Sequence, residues 1–168
     1  MKIFLIGYMA SGKSTLAKKL AKKLGLEAVD LDKEIEQSAE MSIPDIFKSE
    51  GEMAFRKREQ SELRKWLEKD GFVMACGGGT PCFFESMDEM NGAGTTVYLQ
   101  MSAKAVVDRV MSSKEERPIL KGLSEEKMLK KVDFQIGKRE PFYSRAKLMV
   151  NGVNLDVDAL AEELNHSK

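Results

Sequence analysis

One run constrains this chain more than any other: Gly7-Tyr8-Met9-Ala10-Ser11-Gly12-Lys13-Ser14. It fits G-x-x-x-x-G-K-[ST], and its surroundings match what such a loop needs on either side. Before it, residues 3–6 are continuously apolar, as expected of a parallel strand covered on both faces. After it, residues 14–24 carry Leu16, Leu20 and Leu24 four apart, with Ala17 and Ala21 beside them and lysine pairs on the opposite face. Gly25 then supplies a helix-stopping residue. In a strand–loop–helix of this kind, glycines let backbone N–H groups turn inward around phosphates, and the helix N-terminus adds its positive dipole end. Lys13 is expected to reach the β- and γ-phosphates, and the Ser14 hydroxyl to meet Mg²⁺. Gly7, Ala10, Ser11, Gly12 and Thr15 complete the expected nucleotide-binding stretch.

The rest of the chain repeats the alternation. Apolar runs recur at 28–31, 72–76, 97–99 and 148–150, and helical patterns lie at 52–68, 84–90, 103–111, 125–140 and 157–164. Gly137 weakens the 125–140 pattern and Pro141 is expected to end it. Alternating strands and helices predict an α/β fold with a parallel sheet, right-handed crossovers and helices on both faces. Ligands of such sheets bind at the carboxyl ends of the strands. Two segments interrupt the pattern: residues 33–59 insert extra helical material, and 112–123 form a polar loop around Arg117-Pro118, long enough to be a lid. At 168 residues the chain reads as one domain, 1–168, with the insertion at about 33–60 and the lid at about 112–123.

Composition removes several function classes. Lys plus Arg and Asp plus Glu are both 27, so no basic excess exists to meet a nucleic acid. Two cysteines and one histidine cannot build a zinc site or a disulfide framework, and sparse cysteine fits a reducing compartment. The apolar start is too short for a signal peptide, and no stretch is long enough to span a membrane. The expected location is cytoplasmic. Eleven methionines read as core filling, Cys76 and Cys82 as small fillers, and His166 as a surface residue.

Further chemistry follows the apolar runs. Asp30 and Asp32 flank Leu31 at the end of the second strand, where residues two apart share a face. One carboxylate could hold Mg²⁺ through water while the other accepts a hydrogen bond or proton from a substrate hydroxyl; the same spacing suits a solvated acidic turn equally well. Arg56 and Glu59 lie on one helix face beside Phe55, as an arginine steadied for a carboxylate would, although a surface ion pair fits the spacing better. Gly77-Gly78-Gly79 follows the third strand, and three glycines imply a close approach to the backbone rather than a turn alone. Arg117 and Arg139 could bring positive charge to a transferring phosphoryl group.

In this order, the phosphate loop, Asp30-x-Asp32, Phe55-Arg56 with Glu59, the glycine triplet, Arg117-Pro118 and Lys138-Arg139-x-Pro141-x-Tyr143 resemble the shikimate kinase family along essentially the whole chain. The resemblance implies a three-layer nucleoside-monophosphate-kinase-like fold with a five-stranded parallel sheet, and transfer of the γ-phosphoryl of MgATP to the 3-hydroxyl of shikimate. It implies catalytic roles for Lys13, Asp32 and Arg117, and shikimate contacts from Asp32, Arg56, Gly77, Gly78, Gly79 and Arg139. It also implies Mg²⁺ at Ser14 and Asp30, and Arg109 against the adenine. The expected partners are shikimate and MgATP, with no nucleic acid, no membrane and a monomeric protein. Ala10 departs from the glycine of many relatives, which is strain-free only at negative φ. Another small-molecule kinase, such as a gluconate or nucleotide kinase, would not need the Asp32, Arg56 and Arg139 trio. A silent ATP-binding module would not need Lys13, Ser14, Asp30, Asp32 and Arg117 together.

Overall fold

The computed structural model describes residues 1–113 and 120–167. Five strands form one parallel sheet: β1 (Lys2–Ile6), β2 (Glu27–Asp30), β3 (Phe72–Ala75), β4 (Thr95–Gln100) and β5 (Leu148–Asn151). Their order is β2-β3-β1-β4-β5, so β1, apolar from Ile3 to Ile6, is central. Its side chains alternate between two cores, as the two-residue period of a strand requires. Ile3 and Leu5 join α1 (Lys13–Leu24) and α8 (Val157–His166) on one face. Phe4 and Ile6 face the other side, packing with residues of α2 (Leu31–Ala39), α3 (Ile43–Glu50), α4 (Glu52–Leu67) and α5 (Ser86–Ala93). A third cluster joins α6 (Ala103–Ser112) and α7 (Glu125–Tyr143) around Val106, Val107 and Val132. The result is the three-layer α/β fold expected.

Some boundaries move for physical reasons. Asp32 lies in the first turn of α2, two residues past the end of β2, so strand alternation does not explain the pairing of Asp30 with Asp32. Pro141 lies inside α7 and does not end it. The last turn is held by Ser144, whose N–H donates to the Glu140 carbonyl at 2.9 Å, and by the fully buried Tyr143. Phe84, expected at a helix start, has φ 52 and precedes α5. Met74, Met87 and Met90 are core residues, but Met53, Met111 and Met149 are exposed, so methionine is not only core filling here. Leu120 is buried against α6 and α7, although the surrounding loop reads as polar. His166 is exposed.

Candidate active site

The loop after β1 and the N-terminus of α1 make the floor of a cleft of about 690 Å³. Gly12 caps α1 at φ 88 with no side-chain hydrogen bond, and the first turn carries no acidic residue. The helix therefore presents its first N–H groups to the cleft with no anionic side chain of its own on them, the arrangement an anion needs. Lys13 is almost fully buried, and its Nζ donates to the carbonyls of Gly7 at 2.7 Å and Tyr8 at 2.9 Å. The ammonium is thereby held inside the loop curve.

Ala10 stands at φ 59, in the left-handed region. The condition for a strain-free alanine is not met, and the loop carries that strain. Arg109 reaches back from α6: Nη1 donates to the Ala10 carbonyl at 3.2 Å and Nη2 to the Gly152 carbonyl at 2.8 Å. It joins the phosphate loop to the segment after β5, at the edge of the cleft.

Ser14 Oγ donates to Asp30 Oδ2 at 2.9 Å, with Thr15 following on the same turn of the wall. A hydroxyl and a carboxylate side by side are hard oxygen donors, which suits Mg²⁺. Among the described residues no cluster of three histidine, cysteine or acidic side chains could cage a metal. These two donors therefore fit a cation that keeps water and draws its other ligands from phosphate oxygens. Asp32 lines the same cleft. Burial, with Asp30 and Glu59 nearby, pushes its carboxyl up to about 6, against the opposing pull of Lys13.

The glycine triplet explains itself through its neighbours. A Cβ on Gly77 would lie 3.2 Å from Asp32 Oδ1 and from Glu59 Oε2. On Gly78 it would lie 3.0 Å from Arg139 Nη1, and on Gly79 within 2.5–2.9 Å of the Arg56 guanidinium. The close approach inferred from three glycines is thus made by the side chains of Asp32, Glu59, Arg139 and Arg56. Gly78 also faces the phosphate loop, its added Cβ being 3.6 Å from the Gly7 carbonyl oxygen and the Met9 nitrogen.

Arg56 and Glu59 are buried, which corrects the surface ion pair that their spacing favoured. Arg56 Nη1 donates to Glu59 Oε1 at 2.9 Å, and Thr80 Oγ1 donates to Glu59 Oε2 at 2.7 Å. The Arg56 guanidinium lies 4.1 Å from the Phe83 ring centroid, and its Nε is buried without a hydrogen-bond partner, the Glu52 carboxylate standing off at 3.8 Å. A buried, unsatisfied N–H on a positive group is strong drive to accept an anionic ligand. Thr80 and Phe83 carry no motif of their own in the sequence; the one signal for them is that they follow the glycine triplet by one and four residues. Cys76 is buried, and burial pushes its thiol far above the ordinary range, while Cys82 is partly buried and raised for the same cause. Neither is poised as a nucleophile. Arg117, with the rest of residues 114–119 of the 112–123 loop, lies outside the described residues.

Relatives match nearly the whole chain. The family model described as "Shikimate kinase" matches residues 9–167. The shikimate kinase of Parabacteroides distasonis is 37% identical over 166 residues, covering 99% of this chain and 96% of the relative. That of Azobacteroides pseudotrichonymphae is 40% identical over 164 residues, covering 97% and 96%. Among solved structures, shikimate kinase from Bacteroides thetaiotaomicron superposes with a TM-score of 0.91 at 33% identity, covering 99% of this chain and 97% of that one. Shikimate kinase from Acinetobacter baumannii, solved in complex with shikimate, gives 0.83 at 30% identity, covering 99% and 91%.

Proposed function

The chain belongs to the shikimate kinase family, and from that membership we infer that it transfers the γ-phosphoryl group of ATP to the 3-hydroxyl of shikimate, a step of aromatic biosynthesis. One observation carries the assignment of residues. Asp32, Arg56 and Arg139, drawn from three separate elements, meet on a single glycine loop that also faces the phosphate loop. A small polyhydroxy acid needs a carboxylate to accept from its hydroxyls and planar guanidinium groups to grip its own carboxylate. Both chemistries sit within reach of the nucleotide floor.

The residues divide the work accordingly. Backbone N–H groups of residues 7–15 and the N-terminus of α1 hold the phosphates, and Lys13 exchanges loop carbonyls for phosphate oxygens. Arg109, already tied to Ala10 and Gly152, flanks the nucleotide base. Arg56 and Arg139 hold the acceptor carboxylate, with Glu59 and Thr80 fixing Arg56. Asp32, ionised at neutral pH although raised to about 6, accepts the hydrogen bond of the acceptor hydroxyl and takes its proton as the bond to phosphorus forms. Ser14 and Asp30 would hold Mg²⁺, which when bound neutralises charge on the phosphoryl oxygens. The part given to Arg117, positive charge over the transferring group, is a reading of the sequence alone.

The same reading makes the protein a cytoplasmic monomer of one domain, with the insertion at about 33–60 on the acceptor side and shikimate and MgATP as its partners. Among the described residues no helix is long and apolar enough to cross a membrane. The test is ADP release in a coupled assay with and without shikimate. Release that depends on shikimate, and not on gluconate or a nucleoside monophosphate, is expected. Release that ignores shikimate would overturn the assignment.

A further inference from the structure

Tyr8 is the second residue of the phosphate loop, yet its side chain is committed elsewhere. It is only 3% exposed, packs with Met101, Val106, Val107 and Val132, and does not line the cleft. Its hydroxyl donates to Gln135 Oε1 of α7. Four residues further along α7, and so on the same helix face, the Arg139 guanidinium carbon lies 5.3 Å from the centroid of the Tyr8 ring. Four residues further again, Tyr143 donates to the Gly78 carbonyl at 2.5 Å. Arg139 thus stands between the Tyr8 ring and Gly78, where its Nη1 is 3.0 Å from the position a Cβ would take.

We propose that Tyr8, although part of the nucleotide loop, is a positioning residue for the acceptor: its ring, aimed by Gln135, fixes the Arg139 guanidinium for the acceptor carboxylate. The inference rests on the reading of Arg139 as a carboxylate ligand. An arginine side chain has many rotamers to lose on binding, and a ring face under the guanidinium removes that loss in advance while attracting the cation electrostatically. Burial of Tyr8 keeps water from competing for that face. The phosphate contacts of residue 8 are made by backbone, so replacing its side chain should leave them in place.

The proposal therefore predicts a split that a purely structural role would not give. Tyr8→Leu should raise the shikimate KM roughly 3- to 30-fold, the span of cation–π contacts from exposed to desolvated sites, with the ATP KM within about twofold. Tyr8→Phe keeps the ring and should return most of the loss. In an Arg139→Ala background Tyr8→Leu should cost no further affinity, because the residue it acts through is gone. A rise in both KM values alike, or an equal effect of Tyr8→Leu with and without Arg139, overturns the proposal. If Arg139→Ala alone leaves the shikimate KM unchanged, the carboxylate reading has failed and the proposal falls with it. Where thermal melting shows that Tyr8→Leu does not fold, Gln135→Leu takes its place. The expected change is then a roughly two- to fivefold rise in shikimate KM that vanishes in Arg139→Ala, and no rise overturns the proposal.

Discussion

Asp32→Asn should make the empty protein more stable and the enzyme nearly inactive. Burial and the neighbouring carboxylates of Asp30 and Glu59 raise the Asp32 carboxyl from 3.8 to about 6. Two units at about 1.4 kcal/mol each bound the cost of keeping it ionised at about 3 kcal/mol. The folded state binds the proton more tightly than the unfolded chain, so this cost is absent below pH 4. It grows as pH rises from about 4 to 6 and is complete above pH 7. Asparagine has no charge to desolvate, but Lys13 loses a favourable partner, so a gain of about 1–2 kcal/mol is expected at pH 7.5. For a chain of this size that is roughly 2–8 °C in Tm. Thermal melts of ligand-free protein between pH 4.5 and 7.5 should show the gain shrinking as pH falls. Turnover in the coupled assay should drop by roughly two orders of magnitude or more, since the hydroxyl loses its proton acceptor. A variant that is less stable than the parent at pH 7.5, or whose gain does not change with pH, refutes the electrostatic reasoning.

Lys13→Met should leave less than about a tenth of wild-type turnover, and typically 10²–10³-fold less, because one phosphate-facing charge is removed. It should also lower Tm measurably, as the Gly7 and Tyr8 carbonyls lose their donor. Arg56→Ala and Arg139→Ala should each weaken shikimate binding at least about tenfold by calorimetry, with ATP binding much less affected; unchanged shikimate affinity in both would remove the carboxylate clamp. Arg56→Ala should in addition destabilise the fold, because Glu59 is left buried without its partner, and a melt that matches the parent would show that the pair is dispensable. Ala10→Gly relieves a residue at φ 59, at about 1–2 kcal/mol of strain against about 0.4–1 kcal/mol of added unfolded-chain entropy, so a small rise in Tm is expected and a fall would count against the strain.

The sequence reveals the phosphate loop because its chemistry is local. A strand, a glycine turn and a helix within two dozen residues leave few other ways to fold, and apolar periodicity places all five strands within one or two residues of where they lie. The acceptor site is different in kind. Asp32, Arg56 and Arg139 are far apart in the chain, and nothing in their spacing says that they meet; the resemblance to a family supplied the trio, and the fold supplies the meeting place. Spacing even misleads for Arg56 and Glu59, because three residues apart on a charged helix describes a solvated pair as readily as a buried one. What separates the two cases is long-range: Thr80 and the glycine triplet arrive from another strand to cover the pair.

The local rules also fail in a consistent direction. Ala10 keeps a left-handed backbone that glycine would adopt without strain, Asp32 is held ionised where burial opposes it, and Arg56 keeps a buried N–H without a hydrogen bond. Each departure lowers the stability of the empty protein, and each lies on the path from the phosphate loop to the acceptor pocket. Two of them would be relieved by ligands of the proposed reaction: a hydroxyl donates to Asp32, and a carboxylate accepts from Arg56. A chain selected only to fold would have no reason to retain these departures, whereas a site that must bind a polar acid out of water needs polar groups left unsatisfied until it arrives. The strain at Ala10 lies in the loop whose backbone N–H groups are proposed to hold the phosphates, and Arg109 donates to its carbonyl at 3.2 Å.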